Sequence, residues 1–181
     1  LGGALAEVNK RVLLIDGDLR KPRLHDIFET GKEHGLSEVL QETCPLPESM
    51  NGAVRETRVA NLFLLPSGAE SAASTNLLYS ERMAALLELF EKEFDTVLID
   101  TPPMMQIPDA RILGRLADAV ILVLRAGRTT RDAAQAARAR LAEDGTTVLG
   151  AILNDWDPKR AGASRYGYYY DRYRYYHRYG E

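Results

Sequence analysis

Three acids stand at the ends of two apolar runs. VLLIDGD places Asp16 and Asp18 just past Val12 to Ile15, and VLID places Asp100 just past Val97 to Ile99. A buried strand is a rigid mount, and a carboxylate at its carboxyl end emerges where parallel sheets bind ligands. Oxygen ligands in that position suit Mg2+, which keeps several of its own waters. Phosphoryl transfer asks little more of a protein than such a metal, positioning and charge neutralisation. An Asp after a strand can equally be a helix cap or a turn residue. Two strands ending this way, one of them in DxD form, favour the metal reading. Pro102 and Pro103 stiffen the segment behind Asp100, either to position a switch loop or to end the strand.

A second set of reactive groups lies at the far end of the chain. RYGYYYDRYRYYHRYG (Arg165 to Gly180) holds eight of the nine tyrosines: Tyr166, Tyr168, Tyr169, Tyr170, Tyr173, Tyr175, Tyr176 and Tyr179. With four arginines against Asp171 and Glu181 the segment carries +2, leaving 19 basic and 24 acidic residues in the body. Interleaved Tyr and Arg could stack on single-stranded nucleic acid or touch an anionic membrane. The mildly acidic body gives no electrostatic reason to bind nucleic acid, and none is expected as a partner.

These groups need a scaffold. KRVLLID (Lys10 to Asp16), NLFLLPSG (Asn61 to Gly68), FDTVLIDTPP (Phe94 to Pro103), ADAVILVLR (Ala117 to Arg125) and TTVLGAILND (Thr146 to Asp155) read as strands, bounded by Gly, Pro, Asn and Asp. LGGALAEVNK opens in a helical pattern, with Leu1, Leu5 and Val8 on one face. RLHDIFETGKEHGLSEVLQ carries short helical pieces with turns at Gly31 and Gly35. Ser80 caps a helix whose apolar face is Met83, Leu86, Leu87 and Phe90, and Thr129 or Thr130 caps an alanine-rich helix running to Gly145. Strands alternating with helices predict right-handed βαβ units and a parallel sheet, with Asp16, Asp100 and Asn154 on one rim. The 181 residues, 45% hydrophobic, can bury a domain core, and no apolar run is long enough to span a bilayer. The one cysteine, Cys44, lies in a loop-like ETCPLP and has no partner for an internal disulfide.

VLLIDGDLRKPRLH resembles the Walker A′ motif of the bacterial tyrosine kinase family, apolar residues followed by DxDxR, and VLIDTPP resembles its Walker B motif. NLFLLPSG, YSERMAALLELFEKEFD, PDARILGRLADAVILVLRAGRTT, VLGAILND and the tyrosine cluster resemble that family in order and spacing. Either acid motif alone would also fit partition and septum-placement ATPases. SGAESAASTNLLYS is poorer in proline and asparagine than the matching stretch of the family.

The resemblance implies an α/β, P-loop NTPase-like parallel sheet flanked by helices, of the partition-ATPase-like subgroup. It implies a partial kinase domain over residues 1–164 and a flexible tail over 165–181. It implies ATP and Mg2+ as cofactors, with Asp16 and Asp18 near the metal and the γ-phosphate, Asp16 taking the tyrosine proton, and Asp100 organising Mg2+. Arg20 falls on the family's basic position, with a surface salt bridge as the plainer alternative. Asn154 falls where related ATPases contact the nucleotide base, with a strand-end cap as its alternative. No G-x-x-x-x-G-K-[ST] occurs in the chain, so the phosphate loop and the first strand are expected upstream, and these 181 residues alone are expected to be inactive. The implied setting is the cytoplasmic, inner face of the plasma membrane. The implied partners are neighbouring copies in a ring, a membrane-spanning polysaccharide co-polymerase domain, fused or separate, and a cognate tyrosine phosphatase. The implied function is autophosphorylation of the tyrosine tail in control of capsular or extracellular polysaccharide synthesis and export. A partition-type ATPase switch and a degenerate kinase-like scaffold or binding module are the alternatives.

Overall fold

The computed structural model describes residues 1–69 and 74–157. They form two compact units, Leu1–Asp118 and the residues from Ala119 on.

In the first unit, β1 (Val12–Asp16) is central. It pairs in parallel with β3 (Leu62–Leu65) on one side and β4 (Thr96–Asp100) on the other, while β2 (Arg55–Glu56) runs antiparallel to β3. The sheet order is therefore β2-β3-β1-β4. The expected parallel sheet is observed, with one short antiparallel strand added at its edge. β2 is two polar residues long, too short for any periodicity, and exists only because β3 offers it an edge.

β1 is buried on both faces, as an all-apolar parallel strand must be. Leu13 and Ile15 join Leu65, Met83, Leu86, Leu87 and Phe90 in the larger core, and Val12 joins Ala6 and Leu62 in a smaller one. α6 (Glu81–Glu93) packs into the larger core through a buried face that is the expected Met83, Leu86, Leu87 and Phe90. The Ser80 hydroxyl accepts a hydrogen bond from the Met83 N–H and starts this helix. Phe90 meets Phe94 edge to face. Short helices α2 (Leu24–Ile27), α3 (Leu36–Gln41), α4 (Leu46–Ser49) and α5 (Ser74–Leu78) close the perimeter, and α7 (Asp109–Leu116) follows the loop after β4. The opening helix, α1 (Gly2–Ala6), is shorter than predicted. The chain turns out of it at Asn9, φ 59, and leaves Leu1 and Val8 exposed.

The second unit pairs β5 (Val120–Arg125) in parallel with β6 (Val148–Asn154), joined by α8 (Arg131–Glu143). Of the two candidate caps, Thr130 is the one used: its hydroxyl accepts from the Ala133 N–H. Thr129 instead accepts from the Arg125 N–H. The helix stops two residues short of Gly145, which takes the left-handed φ of 72 that favours glycine. α8 buries only Ala137 and Leu141.

Candidate functional site

The site begins with register. β1 and β4 run side by side in parallel, so Asp16 and Asp100 are direct partners at the ends of their strands. The chain then holds the two ends together: the Gly17 N–H donates to the Asp100 carbonyl at 2.9 Å. A side chain at position 17 would bring its Cβ within 2.7 Å of that oxygen and 3.0 Å of Leu113, so glycine sets the closeness of the strand ends.

Asp16 is wholly buried. Its Oδ2 accepts the backbone N–H groups of Arg23 (3.2 Å) and Leu24 (3.0 Å), where α2 begins. Its Oδ1 is buried with no hydrogen-bond partner. A buried carboxylate oxygen left bare is costly and asks for a cation or a proton. Burial pushes the Asp16 carboxyl above its usual range, and the charge of Asp18 adds to this against the backbone donors, which pull it down. Asp100 is raised as well, first by the protein packed around it, then by the charges of Asp16 and Asp18. Its surface remains exposed, so water screens part of these effects.

Asp18 is half-buried, and its Oδ1 accepts the N–H groups of Arg20 (3.1 Å) and Lys21 (3.0 Å), an Asx-type turn that shapes the loop after β1. The three predicted carboxylates are thus electrostatically coupled at one end of the sheet. Among the described residues, no three acid, His or Cys side chains form a group that could hold a metal ion by themselves. The bare Oδ1 of Asp16 and the mutual repulsion of the acids are what a cation such as Mg2+, bringing its own waters, would relieve.

The Arg20 side chain is held by Asp109 and Thr75. Its Nε donates to Asp109 Oδ2 at 3.1 Å and its Nη2 to the Thr75 hydroxyl at 2.8 Å. Asp109 and Thr75 were not singled out from the sequence; they stand 89 and 55 residues from Arg20, and no local pattern signals such a contact. Asn154 lies in the second unit, exposed at the end of β6 opposite Arg125. Its carbonyl accepts from the Ala126 N–H, and Arg125 pairs with the neighbouring Asp155 at 2.5 Å. Cys44 is half-buried, its Sγ 3.4 Å from a Glu42 carboxylate oxygen, and burial pushes the thiol up, away from a reactive thiolate. Tyr166, Tyr168, Tyr169, Tyr170, Tyr173, Tyr175, Tyr176 and Tyr179 lie outside the described residues.

Residues 1–136 match the family model of an AAA domain. The tyrosine-protein kinase YwqD of Bacillus subtilis is 38% identical over 169 residues, 93% of this chain and 69% of that protein. The chain belongs to the bacterial tyrosine kinase family. The structure of the kinase domain of the Escherichia coli tyrosine kinase ETK superposes with a TM-score of 0.79 at 34% identity, over 85% of this chain and 59% of that one. The fold is accordingly that of a P-loop NTPase-like α/β domain. The chain spans less than a quarter of some kinase relatives: it is 34% identical to tyrosine-protein kinase wzc of Salmonella typhimurium over 93% of its own length and 23% of that protein's.

Proposed function

We propose that this chain is part of an ATP-dependent protein-tyrosine kinase that phosphorylates tyrosines of its own C-terminal cluster. The observation that carries the reading is the buried Asp16 Oδ1 without a partner, on a strand end paired in register with Asp100. Asp16, Asp18 and Asp100 would hold Mg2+, directly or through its waters. The metal, when bound, neutralises the phosphate charge that builds up during transfer. Asp16 also accepts the proton of the attacking tyrosine hydroxyl. The hydroxyl's ordinary pKa is about 10, and a carboxyl raised by burial is the stronger base for it. Gly17 keeps the Asp16 and Asp100 backbones at contact distance, so the acids are positioned before any ligand arrives. Asn154 is proposed to contact the nucleotide base.

Each phosphate on the tail would add about −1.5 to −2 charge and turn a segment of +2 strongly negative. In this reading the tail is both acceptor and switch, loosening a ring of neighbouring copies as it fills. The wider setting follows from the family: a membrane-spanning polysaccharide co-polymerase domain, fused or separate, a resetting phosphatase, and work at the inner face of the plasma membrane in control of capsular or extracellular polysaccharide. No helix among the described residues is long and apolar enough to cross a membrane.

The test is phosphotyrosine mapping by mass spectrometry on the full-length protein incubated with Mg-ATP. Wild type is expected to label several of the eight tail tyrosines, and Asp16→Asn to lower labelling by roughly 10²-fold, the scale of removing one preorganised charge-stabilising group. ATP hydrolysis that persists without any phosphotyrosine would sink the kinase reading in favour of a partition-type switch.

A further inference from the structure

Arg20, Thr75 and Asp109 form a closed triangle. Arg20 Nε donates to Asp109 Oδ2 (3.1 Å), Arg20 Nη2 donates to Thr75 Oγ1 (2.8 Å), and the Thr75 hydroxyl donates onward to Asp109 Oδ1 (2.7 Å). Asp109 is 0% exposed, and the triangle engages both its oxygens. A buried charge so placed needs its partners. The three members come from three separate segments: the loop after β1, helix α5, and the first residue of α7.

Two details separate this triangle from an ordinary buttress. Arg20 uses its backbone as well as its side chain: its N–H donates to Asp18 Oδ1 while its guanidinium holds Asp109. The orientation of Asp18 and the start of α7 are therefore joined through a single residue. And α7 is reached through residues 101–108, the loop that leaves Asp100. The triangle thus spans the two segments that follow the two acid-bearing strands. The ion pair joins a buried Asp109 to an Arg20 side chain that is 39% exposed, so it adds little net stability. Its distinctive contribution is directional, since the guanidinium is a planar fork with fixed donor angles.

We propose that Arg20, Thr75 and Asp109 are positioning residues, a clasp that sets where the Asp18 carboxylate stands relative to the loop after Asp100. The clasp rests on the reading of Asp18 and Asp100 as metal-side carboxylates. It assigns Arg20 a task other than facing the nucleotide: the guanidinium is spent on Asp109 and Thr75, and it reaches the metal only through Asp18.

The experiment uses the full-length protein and two readouts. Amide hydrogen exchange at Arg20 and Lys21, the two donors to Asp18, needs no metal. Mn2+ affinity, measured by electron paramagnetic resonance with a non-hydrolysable ATP analogue, reads the metal side. Thr75→Val keeps the side-chain shape and removes the hydroxyl. It is expected to speed exchange at both amides by up to about tenfold, the scale of one hydrogen bond. It is expected to weaken Mn2+ by about tenfold or more, the scale of an outer-shell partner. Thr75→Ser is expected to restore both. Arg20→Lys, which keeps the charge but loses the fork, is expected to behave like Thr75→Val. If Thr75→Val leaves exchange unchanged, or speeds exchange without touching Mn2+, the clasp is overturned. If Arg20→Lys keeps nucleotide and Mn2+ affinity while Thr75→Val is silent, Arg20 serves a phosphate as a simple cation and the clasp is again overturned. Wild-type protein that binds no Mn2+ would instead overturn the metal reading of the acids, and the coupling of Asp18 to α7 would then stand or fall on exchange at Arg20 and Lys21.

Discussion

β1 and the end of β6 read alike in the sequence, VLLID and GAILN, apolar runs closing on one polar residue, yet they live in different surroundings. β1 has a parallel partner on each side and packing on both faces, so Leu13, Ile15 and Asp16 are fully buried. Among the described residues β6 has one partner, β5, and it leaves Leu149 73% and Leu153 55% exposed. The polar residue at each strand end inherits that difference. Asp16 is stripped of water and carries a bare oxygen; Asn154 is solvated. Similar apolar runs thus end in different surroundings, and the burial of the polar residue follows the neighbours of its strand more than the residues that precede it.

The sharpest way to break this comparison is a matched truncation. Leu13→Ala in β1 is expected to cost about 2–5 kcal/mol, the range for a leucine removed from a packed core. Leu153→Ala in β6 is expected to stay within about 0.5 kcal/mol, as for a surface change. Urea unfolding of the two variants would show it, and equal losses would refute the contrast. Next in size, Gly17→Ala is expected to cost about 1–3 kcal/mol, because the new methyl meets the Asp100 carbonyl oxygen and Leu113 instead of space. The same substitution at Gly150 in β6, where nothing lies within 4 Å, should cost far less. Smaller again, and alike in the two units, Ser80→Ala and Thr130→Ala should each cost about 1 kcal/mol through loss of a helix cap. That likeness would show that local devices act equally in both regions and only burial separates them.

The smallest effect concerns pH. The folded Asp16 carboxyl is raised, so its ionisation weakens the fold: the protonated form's stability is fully present below the ordinary carboxylate value of about 4 and is lost as pH rises through the raised one. Asp16→Asn, melted in chelator-treated buffer, should therefore have the higher Tm at neutral pH. The gap should close on acidification toward pH 4. A gap that widens on acidification would contradict the burial of an ionised Asp16.

The parts of the molecule governed by short-range physics were readable in the sequence. The five longer strands, the cap Ser80, a cap at Thr129 or Thr130, and the face Met83, Leu86, Leu87 and Phe90 follow from periodicity and hydroxyl placement, and are observed, with Thr130 the cap that is used. β2 was not readable, because two residues carry no period and its existence depends on the β3 edge. α1 was read too long because Leu1 and Val8 match a helical face that nothing covers. At the site, the sequence marked Asp16, Asp18 and Asp100 but could not say that one is sealed and one exposed. It marked Arg20 without its partners, since Thr75 and Asp109 reach it only through the tertiary fold.

The pairing of a sealed Asp16 with an open Asp100 has a kinetic side. In the reading proposed above, a hydrated cation would meet Asp100 first, where water is still at hand, and would reach Asp16 only after shedding part of that hydration. The two strands end at the same level, but their acids differ in access: one faces solvent, the other is sealed from it.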